Sequence, residues 1–437
     1  MNLKKLCCLV LSVCICLCVS GCGMLSGKDE LLAPPQLTGE MRPIGEALSK
    51  SVGENIDLKY PTSGDYHSAI ILKDISADGI YEALAFYTTS DDEMTLMHIN
   101  LICQRGDEWV SVADHTIVAT GVERVDFCDI DGDSQVEIIV GWQVNGNTDK
   151  QLSVFDYQKD ALAQILLQPY TGFVCCDLDS NGTNELFVHL INTVENTNKG
   201  IIFSYADGSM LQSHSCMMDS GVKTATWPKL SELSNGHPAI YIDEIKGVGA
   251  VTEILFMSKD QLVNPLLDTQ TSFENFATIR AASIEAKDIN GDGIIEVPVA
   301  SDLPNADGIE EKLYYTNWCS FNGEQLAVKL VTVFNTVDGF YLTVPNSMVG
   351  KIAVRKNIEN HKRAFYTYDE STDTLGELLF TICAVPIHEF EKDGYNANGA
   401  SEITRTESTV FTIVLTEHSE NFGMNFEYVK EAFKVIE

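Results

Sequence analysis

The sequence predicts an all-β protein: a β-propeller of about five four-stranded blades, followed by a small α+β domain. Three observations predict this class. An acidic nine-residue loop recurs at a regular spacing, a polar turn follows each copy, and short segments rich in β-branched and aromatic residues surround both. Such segments are typical of strands, and four antiparallel strands per repeat of roughly 50 residues is the plan of a propeller blade.

The acidic loop occurs in four well-kept copies, which we call loops 1 to 4. They are residues 74–82, 129–137, 177–185 and 288–296. An eroded fifth copy at 231–239 keeps only Asn235 and Gly236 at its turn, and the five copies begin 55, 48, 54 and 57 residues apart. The second landmark is a polar pair, such as Gly106-Asp107, that ends 29 to 35 residues after the start of each copy.

Strands are expected between these landmarks. In the first unit they are predicted at Ser68–Lys73, Ala83–Thr88, Leu96–Cys103 and Trp109–Val118. The landmarks together place the propeller at residues 66–335. A ring of six or seven blades that takes strands from other segments stays open, and so does a sandwich of two sheets, although a sandwich gives no reason for a fixed period.

Each loop carries oxygen-bearing side chains at positions 1, 3, 5 and 9, the spacing of the first part of an EF-hand calcium loop. Carboxylates packed this closely repel one another, and a divalent cation relieves the repulsion. The ligands of a structural Ca²⁺ are therefore predicted to be Asp74, Ser76, Asp78 and Glu82; Asp129, Asp131, Asp133 and Glu137; Asp177, Asp179, Asn181 and Glu185; Asp288, Asn290, Asp292 and Glu296. The alternative is a metal-free turn in which Asp and Asn cap backbone amides. The eroded copy is expected to bind no metal.

Residues 1–21 have the pattern of a lipoprotein signal peptide. Two lysines precede an apolar run from Leu6 to Val19, which is shorter than the about 20 residues of a membrane span. Val19-Ser20-Gly21-Cys22 resembles the lipobox of bacterial lipoproteins, which implies a lipid on Cys22; an ordinary signal peptide with an incidental Cys is the alternative. Residues 22–65 are expected to be a tether. The predicted location is extracytoplasmic, on the outer face of the bacterial cell membrane.

The composition and the motifs exclude several functions. The chain has 29 Lys and Arg against 63 Asp and Glu, and the net charge of −34 would repel nucleic-acid phosphates. It has no GxSxG elbow, P-loop or HExxH motif, so no enzymatic activity is predicted. Of the 13 Cys, six lie within residues 1–22. The odd number that remains, without CxxC spacing, indicates neither a disulfide framework nor a zinc site, and it leaves a single bridge open.

The loop motif resembles a known repeat. Asp129-Ile-Asp-Gly-Asp133, followed by Glu137 and an apolar strand, is similar to the FG-GAP or VCBS repeat of integrin-like β-propellers and of many bacterial surface proteins. Pro34-Pro35 in the tether and Ser63-Gly64-Asp65-Tyr66 before the first blade resemble VCBS-repeat lipoproteins of Gram-positive bacteria. The resemblance implies a propeller with calcium loops and no enzymatic activity. Loops 1 to 4 end with Glu where Asp is frequent in that repeat.

The landmarks stop before residues 339–437, which are predicted to form the α+β domain. It has five short strands and a final helix from about Asn425 to Val435, on which apolar residues recur every three or four positions. The leading functional hypothesis is a non-catalytic scaffold that binds an unidentified protein or glycan through rigidly held loops. A calcium-dependent polysaccharide-degrading enzyme and a solute-binding lipoprotein are the alternatives.

Overall fold

The computed structural model describes Gly39 and residues 41–89, 96–144, 150–270, 273–304, 314–357, 361–392 and 399–436. These residues form six antiparallel sheets with a few short helices, which confirms the all-β class. The predicted signal peptide and Cys22 lie outside the described residues. Within the described ranges, no helix has the length and apolar character needed to cross a bilayer.

Sheets 1 to 3 each hold the strands before and after one of loops 1 to 3. Sheet 1 contains β1 (Ile56–Lys59), β2 (Ile70–Lys73), β3 (Glu82–Thr89), β4 (Leu96–Arg105) and β5 (Glu108–Val118). Sheet 2 contains β6 (Gly121–Cys128), β7 (Glu137–Gln143), β8 (Lys150–Gln158) and β9 (Ala161–Pro169). Sheet 3 contains β10 (Gly172–Cys176), β11 (Glu185–Asn192), β12 (Thr197–Ala206) and β13 (Ser209–Met217).

The remaining sheets complete the chain. Sheet 4 contains β14 (Thr224–Ala225), β15 (Lys229–Glu232), β16 (Pro238–Lys246), β17 (Gly249–Ser258), β18 (Gln261–Val263) and β19 (Arg280–Ala281). Sheet 5 contains β20 (Val297–Asp302), β21 (Tyr314–Phe321), β22 (Leu326–Asn335), β23 (Phe340–Thr343) and β29 (Phe433–Val435). Sheet 6 contains β24 (Ile352–Asn357), β25 (Lys362–Asp369), β26 (Thr374–Pro386), β27 (Ser401–Arg405) and β28 (Thr409–Leu415).

The helices are α1 (Met41–Val52), α2 (Ile387–Lys392), α3 (Glu417–Asn421) and α4 (Phe426–Ala432), with a 3₁₀ turn at Asn346–Met348. In sheets 2 and 3 the four strands lie side by side in chain order, as the repeat predicts. The four strands predicted for the first unit are also confirmed, as β2 to β5. Loops 1 to 3 therefore connect the first strand of their repeat to the second. Loop 4 instead precedes β20, the first strand of sheet 5, and a single bridge between Lys287 and Glu296 closes it.

The chain divides into two compact units. Unit 1 contains the described part of Met1–Tyr60 together with Ser68–Asp74 and Gly79–Val118; unit 2 contains Pro61–His67, Ile75–Asp78 and the described part of Ala119–Glu437. In unit 1, α1 buries Ile44, Ala47 and Leu48 in a core shared with β2 and β3. The strand β1 also pairs with β3. The later half of the predicted tether is thus folded, because α1 has an apolar face that the core covers.

In unit 2, sheet 5 extends into the predicted C-terminal domain. β23 pairs with β22 and then with β29, near the end of the chain. The helix predicted to Val435 ends at Ala432, because Phe433–Val435 forms β29 instead. Phe433 stacks on Phe340 with ring centroids 4.9 Å apart. Pairing and aromatic stacking therefore outweigh the helical spacing of apolar residues that the sequence shows.

Candidate metal centres

The four acidic loops share one backbone conformation. Positions 4 and 6 have positive φ in every copy: Ala77 (57°) and Gly79 (86°), Gly132 (79°) and Ser134 (77°), Ser180 (61°) and Gly182 (92°), Gly291 (80°) and Gly293 (88°). The eroded copy keeps Gly236 at position 6 with φ 84°. The left-handed region is costly for residues other than Gly, so its recurrence shows that the loops are built alike.

The hydrogen bonds inside the loops repeat as well. In every copy the Asp at position 1 accepts the backbone N–H of position 6, at 2.8–3.1 Å. In loops 2 to 4 the Glu at position 9 accepts the N–H of position 2, at 2.7–3.2 Å. In the same three loops the residue at position 5 accepts the N–H of position 7, at 2.8–2.9 Å. These are the bonds of the metal-free turn. Loop 4 makes all three kinds without a carboxylate cluster, so the bonds do not depend on one.

Loops 2 and 3 have an additional feature, because their carboxylates converge. Asp129, Asp131 and Glu137 each offer an oxygen, and these oxygens lie within 4.8 Å of one another. Asp177, Asp179 and Glu185 do the same in loop 3. Positions 1, 3 and 9 of the predicted ligand sets therefore meet in both loops. Asp133 is not part of the cluster of loop 2, and in both loops the side chain at position 5 accepts the amide of position 7.

The electrostatics of loop 2 are unfavourable without a cation. Glu137 is buried, and burial followed by the charges of Asp131, Asp156 and Asp129 raises the pKa of its carboxyl to about 7. Burial and the charge of Asp133 also raise the pKa of Asp131. In loop 3, burial and the charges of the neighbouring acids raise the pKa of Glu185. Carboxylates that destabilise one another's charged forms in this way are suitable ligands for a hard cation, which prefers oxygen.

Asp156 is an acidic neighbour of loop 2 that the motif does not contain. It lies on β8, and Ile138 pairs with Phe155, so the register places Asp156 opposite Glu137. It is 7% exposed, and its own pKa is raised by burial and by the charge of Asp133. No motif in the sequence marks Asp156, because only the pairing of β7 with β8 brings it to the loop. In sheet 3 the matching position holds Ser204, because Leu186 pairs with Phe203.

Loop 4 satisfies its acids with an amide. The Nδ2 of Asn290 donates to Glu296 at 2.8 Å and to Asp292 at 3.1 Å. The backbone N–H of Gly293, followed by those of neighbouring residues, holds the pKa of Asp288 below its ordinary value. Among the described residues, loop 4 forms no cluster of three converging acids like those of loops 2 and 3. The side-chain amide of the asparagine at position 3 therefore donates to the carboxylates that a cation would otherwise bind.

Loop 1 also differs from loops 2 and 3. Its Asp74 accepts from Gly79 at 3.0 Å, and the other oxygen of Asp74 is buried without a hydrogen-bond partner in the described part of the chain. Glu82 is buried, but it belongs to no acid cluster found among the described residues, and neither do Ser76 and Asp78. Loop 1 has Ser at position 3, so its predicted ligand set has one negative charge fewer than that of loop 2.

A disulfide joins the bases of loops 2 and 3. Cys128, which directly precedes Asp129, is bonded to Cys175, two residues before Asp177. The side-chain amide of Asn184 in loop 3 also donates to the backbone oxygen of Asp129 at 2.8 Å. The five other cysteines of the described residues form no disulfide. The bridge and the amide therefore hold the two acid clusters next to each other in unit 2.

The comparisons with known proteins add little beyond this geometry. No protein-family model matches the sequence, and no curated protein is similar to it. Among solved structures, the chain is similar to the periplasmic gluconolactonase of Pseudomonas aeruginosa, at 13% identity and a TM-score of 0.28, over 74% of this chain and 88% of that one. It is similar to a rhamnogalacturonan lyase of Bacillus licheniformis, at 10% identity and a TM-score of 0.30, over 83% and 89%. Similarity at this level assigns neither a fold family nor an activity.

Proposed function

We propose that this chain is a lipid-anchored extracytoplasmic β-propeller of the FG-GAP or VCBS type, which binds a protein or glycan and uses Ca²⁺ to hold its loops. The carboxylates of loops 2 and 3 would hold the metal, through Asp129, Asp131 and Glu137 and through the matching acids of loop 3. The metal would be structural: it would neutralise the clustered charge and fix the loops that a partner contacts.

The observation that carries this proposal is the convergence of three acids in two loops that a disulfide joins. A metal-free turn needs only the amide-capping bonds, which loop 4 makes without such a cluster. The convergence is therefore an additional feature of loops 2 and 3. The resemblance of the repeat, the order of the strands in sheets 2 and 3, and the lipobox-like segment support the rest of the proposal.

Thermal unfolding with calcium and with chelator tests the metal. Extracellular calcium modules bind at about 10⁻⁴ to 10⁻³ M, so about 10 mM Ca²⁺ should stabilise the folded chain by roughly 1.4 to 2.7 kcal/mol per site. Asp131→Asn should weaken the calcium-induced shift of the melting midpoint, while Asp292→Asn, the same type of change at position 5 of loop 4, should leave it as it is. Equal midpoints for the wild-type protein in calcium and in chelator would contradict the proposal.

One part-exposed cluster in unit 2 favours the polysaccharide-degrading alternative. The Arg124 guanidinium lies over the Trp227 ring, 4.7 Å from its centroid, and Glu123 bonds both Lys150 and Tyr170. Aromatic and charged groups together suit a sugar. However, burial and the neighbouring Glu123 raise the pKa of Tyr170, so its hydroxyl stays protonated and does not act as a base. This cluster therefore suits sugar binding better than catalysis, and cleavage of acidic polysaccharides by the purified chain would reverse that preference.

A further inference from the structure

A buried acidic cluster lies between sheets 3 and 4, away from the loops. Its centre is Glu244 on β16 and Glu253 on β17, and both side chains are 0% exposed. His189 on β11 and Asn198 on β12 face them from sheet 3, and Asp219 faces them from the segment between the two sheets. The cluster is independent of the proposed metal centres.

The strand register places the two glutamates on one face of sheet 4. Ile242 pairs with Glu253, and Glu244 pairs with Val251, so the glutamates are diagonal neighbours two positions apart. Side chains at such positions point the same way and are within reach of one another when they are long. Both carboxyl groups therefore enter the same dry layer between the sheets.

Each glutamate has one satisfied oxygen and one that is not. Glu244 Oε1 accepts from Asn198 Nδ2 at 2.8 Å and lies 3.1 Å from His189 Nε2. Glu253 Oε1 accepts the backbone N–H of Asp219 at 3.1 Å. The Oε2 atoms of both glutamates are buried and lack a hydrogen-bond partner among the described residues. Two ionised carboxylates would leave two unpaired acceptors, which is costly at such a site.

The charged groups around the pair do not neutralise it. Lys246 bonds Asp219 at 2.8 Å and Glu274 at 2.9 Å, and the described residues place no Lys or Arg within ion-pair distance of Glu244 or Glu253. His189 Nδ1 is buried without a partner in the same part of the chain. A neutral His189 that donates through Nε2 fits this better than a charged one, which would bury an unpaired N–H. Asn264 lies beside Glu253 and favours its charged form, whereas the charges of Glu244 and Asp219 oppose it. The Cys216 thiol on β13 is also a neighbour, since burial and the charge of Glu253 raise its pKa.

We propose that Glu244 and Glu253 share one proton, and that this pair is a pH-sensitive lock between sheets 3 and 4. A single proton satisfies both open oxygens, since the protonated carboxyl donates and the other accepts. Loss of the proton places two like charges in a buried layer. The sheets then lose packing where His189 and Asn198 meet the pair.

The raised pKa of Glu253 supports the same pH dependence, in which rising pH releases the lock. Burial, followed by the charge of Glu244, raises the pKa of Glu253 to about 8 in the folded chain, from 4.5. Because the folded state holds a proton that the unfolded state has lost, the contribution of the pair is fully present below about pH 4.5 and is lost as the pH rises to about 8. The lock is thus released across neutral pH, with rising pH.

Asp219 connects the pair to an exposed segment. Its Oδ2 accepts the backbone N–H of Asn275 at 2.8 Å, and the next residue, Ser220, donates to the Phe273 carbonyl at 3.3 Å. Phe276 lies in this segment with its ring 4.2 Å from Lys246 Nζ. The side chain of Phe276 is more than half exposed. Ionisation of the pair should therefore loosen residues 273–280 before the rest of sheet 4.

The test compares the wild-type chain with Glu253→Gln between about pH 5 and about pH 9, in chelator so that the loops hold no metal. The glutamine amide replaces the shared proton as a donor. We expect the unfolding midpoint of the wild type to fall more steeply with pH than that of the variant. Hydrogen-exchange protection at residues 273–280, measured relative to the intrinsic rate at each pH, should fall with rising pH in the wild type and stay constant in the variant. Infrared spectra at neutral pH should show a protonated-carboxyl band that the variant lacks.

Two further variants separate the pair from general effects. Glu244→Gln should also flatten the pH dependence, and it replaces Glu253→Gln if that variant does not fold. Glu195→Gln, in the exposed turn after β11, should behave as the wild type does. Equal pH slopes in wild type and both pair variants would overturn the proposal. So would a stabilisation of the wild type, but not of Glu253→Gln, by Na⁺, K⁺ or Ca²⁺ at high pH, because the pair would then hold a cation.

Discussion

At the scale of single residues, Ser134 is the exception in a repeated backbone. Position 6 is Gly in loops 1, 3 and 4, and it has positive φ in all four loops. Ser134 adopts φ 77°, which costs a residue with a Cβ about 1–2 kcal/mol relative to Gly. Loop 2, which has the most carboxylates, therefore carries local backbone strain.

Ser134→Gly should stabilise the chain. The gain should be about 0.5–1 kcal/mol, because the relief of strain is partly offset by the greater freedom of Gly in the unfolded chain. Denaturant unfolding in chelator measures it. The reverse change at the matched position, Gly182→Ser, should destabilise by a similar amount. An unchanged or lower stability of Ser134→Gly would mean that loop 2 is not strained at this position.

Residue spacing predicted the convergence of positions 1, 3 and 9 in loops 2 and 3, because a tight turn brings those positions to one side. It could not predict that position 5 serves the loop's own backbone. It also could not tell loop 3 from loop 4: each has one Asn among its four predicted ligands, but Asn181 at position 5 leaves the acids together, whereas Asn290 at position 3 bonds Glu296. The buried cluster between sheets 3 and 4 has no local signal, because its side chains come from four strands and from the segment between the two sheets.

At the scale of elements, the pairing of strands decides which side chains reach each loop. The alternation of apolar residues predicted β2 to β5, but it carried no information on register. Register brings Asp156 to loop 2 and Ser204 to the matching position of loop 3. Tyr205, beside Ser204, is close enough to loop 2 that its pKa is raised by burial and then by the charges of Asp131 and Asp156.

Asp156→Asn should weaken metal binding at loop 2 by about tenfold, the effect of removing a charged neighbour of a metal ligand. Ser204→Asp should strengthen binding at loop 3, because it copies the arrangement of loop 2. Terbium luminescence sensitised by Tyr205 reports on loop 2 specifically, and calorimetry with Ca²⁺ counts both loops. If both variants bind as the wild type does, the acid opposite position 9 plays no part in either centre.

At the scale of the whole molecule, sheet 5 and sheet 6 of unit 2 share one apolar core. A single cluster of buried side chains runs from Leu303 through Val331 and Phe380 to Phe433. The loss of the two landmarks after residue 335 predicted that the repeat ends there, and β22 ends at Asn335. It could not show that β23 and β29 continue sheet 5, because pairing between residues about 90 positions apart leaves no periodic trace.

Phe433→Ala should therefore destabilise sheet 5 as well as the end of the chain. The loss should be about 3–5 kcal/mol, since Phe433 is buried against Phe340 and Phe411 and its removal leaves a cavity. Phe422→Ala is the matched control, because Phe422 is 44% exposed and should cost little. Hydrogen exchange then locates the effect: a shared core predicts faster exchange in β22 and β23 together with sheet 6. Faster exchange confined to sheet 6 would show that residues 339–437 unfold separately from the repeat, as an independent domain would.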